Sequence, residues 1–192
     1  MKICVYGASS NSIDEIYKDT AYALAGLMAK HGHTLVYGGG GNGVMGACAR
    51  GAHDNGGCII GIAPSFFKVD GVLFEGCTEF IYTDTMRERK KILEDTSDAF
   101  IIAPGGLGTF DEFFEILTLK QLNRHNKPIA IFNVNGYYDA LLALLENTAA
   151  HKFMTNKSLE LFDVFDDAQE MLTYIENYDE KPMSISELKD IR

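Results

Sequence analysis

Apolar residues along this chain fall into two alternating patterns. Short runs rich in β-branched and aromatic residues occupy 2–6, 33–37, 58–63, 79–82, 99–103 and 128–133. Longer stretches near 12–31, 43–55, 85–96, 109–125, 136–149 and 166–178 carry apolar residues at helical spacing. Strand-like runs alternating with helical ones are the mark of βαβ units and a parallel sheet. Connections of this kind are right-handed, so the expected fold class is α/β, a doubly wound parallel sheet with helices on both faces. Ligands of such sheets sit at the carboxyl ends of the strands, where loops enter helix N-termini.

Length and composition narrow the picture. The 192 residues, 46% of them apolar, suit one domain with one buried core, expected over 1–180, with 181–192 as a loosely attached C-terminal tail. A formal net charge of −10 and the lack of a basic stripe argue against a nucleic-acid polymer as partner. Any bound anion is expected to be small and locally gripped. The four cysteines, Cys4, Cys48, Cys58 and Cys77, show no C-x-x-C spacing, and three of them sit in apolar or small-residue runs that read as core. Free thiols, an opening that runs straight into a strand and no apolar run of membrane-spanning length lead to the expectation of a cytoplasmic protein without membrane association.

Three loops after predicted strands carry candidate chemistry: Gly-Ala-Ser-Ser-Asn-Ser at 7–12, GGGGNGVMG at 38–46 and Pro-Gly-Gly-Leu-Gly-Thr at 104–109. Glycines let backbone N–H groups approach an anion, and the helix that follows adds the positive end of its dipole. Gly41, Gly43 and Gly46 match G-x-G-x-x-G, the dinucleotide fingerprint. That fingerprint also requires an acidic residue about 20 positions on, at the end of the next strand. The strand here ends Ile62-Ala63-Pro64, and the motif lies in the second βα unit, so a dinucleotide site is disfavoured. No G-x-x-x-x-G-K-[ST] occurs. Tight strand–helix packing is the plainer reading of 38–46.

The third loop opens an acidic, aromatic helix. Thr109 and Glu112 have capping-box spacing, in which Glu112 only reaches back to a backbone N–H. Asp111 there complements the helix dipole. Yet Thr109, Asp111, Glu112 and Glu115 exceed what a cap needs, and Glu112 and Glu115 share one helix face, so Glu112 is equally a catalytic candidate. Arg87, Arg89, Lys90 and Lys91 cluster at the start of the helix near 85–96, where cations oppose the dipole and an anionic partner is the natural complement. A solvated basic face is the plainer reading, and it suits Lys91. The helix near 109–125 is apolar over much of its circumference, which predicts packing on two sides, the second being either another subunit or, in a monomer, a core that buries the helix fully.

Two stretches together, Pro104 to Glu112 (P-G-G-x-G-T-x-x-E) and Met86 to Lys90 (M-x-x-R-K), resemble the signature of the LOG family, the cytokinin riboside 5′-monophosphate phosphoribohydrolases long labelled lysine decarboxylases. The resemblance extends through 36–46 and 126–142 and covers most of 3–165. It implies a Rossmann-like fold, usually a homodimer, that hydrolyses the N-glycosidic bond of an adenine-type nucleoside 5′-monophosphate to free base and ribose 5-phosphate. It implies Arg89 and Glu112 as the catalytic pair, with Gly105, Gly106, Leu107, Gly108 and Thr109 receiving the phosphate. Ser9, Gly39, Gly40, Met86, Lys90, Asp111, Glu115 and Thr118 complete the expected substrate-binding set. No metal and no cofactor are expected. The chain departs from the family pattern at Arg87, commonly histidine, at Leu119, commonly tryptophan, and after Pro64, where a carboxylate is common. These positions bear on which base is preferred.

The chemistry is coherent. Glycosidic cleavage passes through an oxocarbenium-like transition state, which a carboxylate stabilises or attacks by activating water. An anchored 5′-phosphate positions the ribose against that carboxylate. A guanidinium is no ordinary general acid, so Arg89 binds phosphate or ribose, or orients Glu112 through a bidentate pair, the role we favour. The competing class is a binding module that holds a nucleotide or phosphorylated ligand without cleaving it. A decarboxylase would need a Schiff-base lysine, and no lysine stands in a suggestive context.

Overall fold

In the computed structural model, which describes residues 1–179 and Leu188, all six apolar runs become strands. They are β1 (Lys2–Tyr6), β2 (Thr34–Tyr37), β3 (Ile59–Pro64), β4 (Glu79–Thr83), β5 (Ala99–Ile102) and β6 (Ile129–Phe132). A further strand, β7 (Asp163–Phe165), was not expected. Its three residues, two of them exposed, are too few for alternation to register. Pairing is parallel throughout, in the order β4-β3-β2-β1-β5-β6-β7.

The helices are α1 (Glu15–Lys30), α2 (Gly43–Asp54), α3 (Met86–Thr96), α4 (Leu107–Gln121), α5 (Asp139–Ala150) and α6 (Ala168–Glu176). Strand residues alternate between two cores, as the pleat requires. Ile3, Val5, Leu35, Tyr37 and Ile101 face α1, α2 and α6. Cys4, Tyr6, Val36, Phe100 and Ile102 face α3, α4 and α5. The sheet is thus covered on both faces, and its strands read as near-continuous apolar runs for that reason.

Chain order reverses between β1 and β5, which lie side by side although 96 residues separate Val5 from its register partner Ile101. The loops leaving these two strands run to opposite faces and open a crevice between them, the usual ligand position in such sheets. Burial differs among the cysteines: Cys4 and Cys48 are buried, their thiols pushed up to about 12 by desolvation, Cys77 is half-buried and Cys58 exposed. Among the described residues no helix is long and apolar enough to cross a membrane. The tail expected over 181–192 lies outside the described residues except for Leu188, which is buried.

Candidate active site

At the carboxyl ends of the strands, a cleft of about 580 Å³ opens where the first, second and third glycine loops meet. Its acidic wall belongs to α4. The helix begins at Leu107, two residues before the expected start, with Gly106 at the N-cap and no side-chain cap. Thr109 and Glu112 therefore lie inside the helix, and the capping box expected of them does not form. A capping box forms instead on α3, where the Thr85 hydroxyl accepts from the Glu88 N–H and the Glu88 carboxylate accepts from the Thr85 N–H. That cap fixes the first turn of α3 and sets Met86 and Arg89, three apart, along one face toward the cleft.

Arg89 is the centre of the arrangement. It is 7% exposed, its Nη1 donates to Glu112 Oε1 at 2.6 Å, and its Nε donates to the Ile62 carbonyl at 3.2 Å. The pair is made through one guanidinium nitrogen, so it differs from the bidentate pair expected. Nε is engaged instead by the carbonyl at the end of β3. Gly38, just past β2, makes room: a Cβ there would stand 2.2 Å from Arg89 Nη2. Glu112 is 8% exposed. Burial raises its carboxyl above the usual carboxylate range, and the Arg89 charge and hydrogen bond offset that in part. A carboxylate so placed is a better proton acceptor than an exposed glutamate.

The loop after β5 is held from several sides. Ala8 N–H donates to the Pro104 carbonyl at 3.0 Å, the Tyr137 hydroxyl to the Gly105 carbonyl at 2.7 Å, and the Tyr138 hydroxyl to the Ala103 carbonyl at 2.7 Å. A Cβ at Gly105 would meet Thr109 Oγ1 at 2.1 Å and the Ala8 nitrogen at 3.0 Å, so this turn admits only glycine. Beyond it the first turn of α4, from Gly106 to Thr109, lines the cleft. The N–H groups of a first turn lack intrahelical partners and suit an anion.

The second loop plays a different part. The N–H of Gly43 donates to Asn11 Oδ1 at 2.8 Å and that of Met45 to the Ala8 carbonyl at 3.2 Å. The start of α2 is thus capped by the first loop rather than offered to a pyrophosphate, which is why the G-x-G-x-x-G match carries no dinucleotide site. Gly46 serves packing, since a Cβ there would lie 2.0 Å from the Gly41 carbonyl oxygen.

Of the expected residues, Ser9, Gly40, Met86, Arg89, Gly106, Leu107, Gly108, Thr109 and Glu112 line the cleft. The others stand behind or outside it. Gly39 is buried under Phe80, and Gly105 supports the loop. Lys90 donates to Asp111 at 3.0 Å and pairs with Glu115, so these three charges satisfy one another on the outer face of α3 and α4. Thr118 is exposed further along α4. Sequence reasoning missed Phe67, Val72 and Leu73, which form an apolar wall. They come from the connection between β3 and β4, a stretch without periodicity. It is folded over the second loop by the hydrogen bonds Gly41 N–H to the Val72 carbonyl and Phe74 N–H to the Gly39 carbonyl.

The fold and the cleft define a class: a parallel α/β protein of Rossmann-like topology with a glycine-rich helix N-terminus and a buried arginine–glutamate pair at its switch point. Comparison with known proteins agrees. Residues 45–175 match the family described as "Possible lysine decarboxylase". Two relatives from Arabidopsis thaliana are a cytokinin riboside 5′-monophosphate phosphoribohydrolase, 35% identical over 92% of this chain and 83% of its own, and a probable one, 36% identical over 92% and 88%. The chain therefore belongs to the LOG family. Among solved structures it is similar to a molybdenum cofactor binding protein from Rippkaea orientalis, with a TM-score of 0.70 and 26% identity over 91% of this chain and 94% of that one. The molybdenum cofactor carrier protein of Chlamydomonas reinhardtii shares the fold at a TM-score of 0.70 and 22% identity over 91% and 95%. The decarboxylase description finds no counterpart in the cleft, since no lysine among the described residues lines it.

Proposed function

We propose that this protein is a hydrolase that cleaves the N-glycosidic bond of adenine-type nucleoside 5′-monophosphates, releasing the free base and ribose 5-phosphate. One observation carries the reading: Glu112, paired with Arg89, is buried in the wall of an open cleft beside a first helical turn suited to phosphate. The names of the plant relatives support it.

In this reading the phosphate sits at Gly106 to Thr109 and the ribose lies against Glu112. The base lies toward the apolar wall of Phe67, Leu73 and Met86. The water oxygen bonds to C1′ as the bond from C1′ to the base nitrogen breaks. The electron pair of that bond leaves with the base, which takes up a proton from solvent, while the attacking water passes its own proton to Glu112, which releases it to solvent afterwards. Arg89 holds the carboxylate in place and balances its charge. The working unit we propose is a single domain over 1–180, acting as a homodimer in the cytoplasm.

A second reading is a binding module that holds a phosphorylated ligand intact, and the likeness to a molybdenum cofactor binding protein favours it. Against it, a buried carboxylate beside an anion site is costly for simple binding. Chromatographic assay of base release from AMP and from isopentenyladenosine 5′-monophosphate separates the two. Release that requires the phosphate and is lost in Glu112→Gln supports the hydrolase; tight binding with no release from either nucleotide supports the binding module.

A further inference from the structure

At the end of the sheet opposite the cleft, two helix C-termini converge on a small cluster of side chains. Helix α1 ends at Lys30 with His31 as its C-cap, and α6 ends at Glu176. Gly32, at φ +75°, turns the chain sharply, and His33 then leads into β2. His31 Nδ1 and His33 Nε2 each lie 2.8 Å from the same oxygen of Glu176, Oε1. The Nδ1 atom of His33 is turned to the amino nitrogen of Met1 at 3.4 Å, which leaves Nε2 as the nitrogen offered to the cluster.

We propose that His31, His33 and Glu176 form a zinc-binding site that fastens the end of α6 to the turn between α1 and β2. Three observations support it. The donor set, two imidazoles and a carboxylate, is one that Zn²⁺ takes in proteins. The three ligand atoms lie within 4.8 Å of one another. Donors around a tetrahedral zinc stand about 3.3 Å apart, given bonds of about 2.0–2.2 Å, so small side-chain rotations suffice. The negative ends of two helix dipoles also point to this spot, which favours a cation there. His33 is buried, while His31 and Glu176 remain partly open to solvent, so water completes the coordination. Nothing in this site touches the nucleotide cleft, and the inference is independent of the proposed hydrolysis.

The test uses untagged full-length protein, freed of metal by a chelator and titrated with ZnCl₂ against a chromophoric competitor. Wild type should bind one Zn²⁺ per chain, and its thermal midpoint should rise with ZnCl₂ as expected for a ligand that binds only the folded state. His31→Ala, a change at an exposed position, should weaken binding by at least about tenfold and remove the thermal shift. Glu176→Gln should do the same. Co²⁺ in place of Zn²⁺ should give the strong visible absorption of a four-coordinate site. Substoichiometric binding, or equal binding by wild type and His31→Ala, would overturn the proposal and leave the cluster as a hydrogen-bonded clamp.

Discussion

Glu112 and Arg89 each answer to more than one partner, and that decides which substitutions are informative. Glu112→Ala would leave the buried Arg89 charge without its carboxylate, a loss that costs about 3–5 kcal/mol. Glu112→Gln keeps an oxygen for Arg89 Nη1 and removes only the charge and the proton-accepting power. It is expected to lower the rate of base release by a factor of about 10²–10⁴ with nucleotide binding retained, measured by single-turnover kinetics and calorimetry. Arg89→Lys keeps a charge, yet one ammonium on a flexible stem cannot reproduce the planar fork that meets both Ile62 and Glu112. A turnover drop of about tenfold or more is expected; wild-type turnover would remove the orienting role from Arg89. Because burial raises the Glu112 carboxyl above its ordinary value of 4.5, the acid limb of kcat/KM should fall at a pH above 4.5, and Glu112→Gln should lack that limb.

At the scale of elements, the connection from α4 to β6 contains a half-buried titratable group, His125. His125 donates from Nε2 to the Ile116 carbonyl at 2.8 Å and accepts from the Lys127 N–H at 3.3 Å, so it is held as the neutral ring. Burial lowers its pKa from 6.5 to about 4, helped by the charges of Lys120 and Lys127. The unfolded chain takes up this proton below 6.5 while the folded chain does not. The stability His125 supports is therefore full above pH 6.5 and is lost as pH falls from 6.5 toward 4. Denaturant melts across that window should show a steeper loss for wild type than for His125→Gln. The glycine loops yield a sharper prediction. Gly105→Ala forces Thr109 and the first loop apart, and overpacking of this kind costs about 1–3 kcal/mol. Base release should fall far more than stability does, since the same shift displaces the first turn of α4.

For the whole molecule, apolar side chains cluster at the mouth of the cleft. Leu107 is 86% exposed, and Phe67, Met86 and Phe114 are also exposed. Phe113 and Ile116, on the opposite side of α4, are buried in the core, so this helix has an inner apolar face already used and an outer one still open. A homodimer would cover it. Sedimentation velocity should give twice the chain mass, and Phe114→Glu should shift the protein toward monomer and lower base release with it. A monomer at all concentrations would assign the outer face of α4 to another role.

How much of this was legible depended on whether the signal was local. Periodicity alone specified six strands and the two-faced burial, because residues that cross a covered parallel sheet must be apolar on both sides. The family resemblance carried by Pro104 to Glu112 and by Met86 to Lys90 marked both members of the central pair. Local rules failed at Thr109 and Glu112, where capping spacing was present, but the helix began at Leu107 and a buried arginine claimed the carboxylate. They failed again at Lys90, Asp111 and Glu115, which pair with one another outside the cleft, and at Phe67, Val72 and Leu73, which no period announces. The sequence by itself determined the layers, the order of elements and the residue types at the strand ends. Only the tertiary structure decided which of them share a cleft, because Arg89 and Glu112 meet across 23 residues of chain through the pairing of β1 with β5, and pairing is a property of the whole sheet.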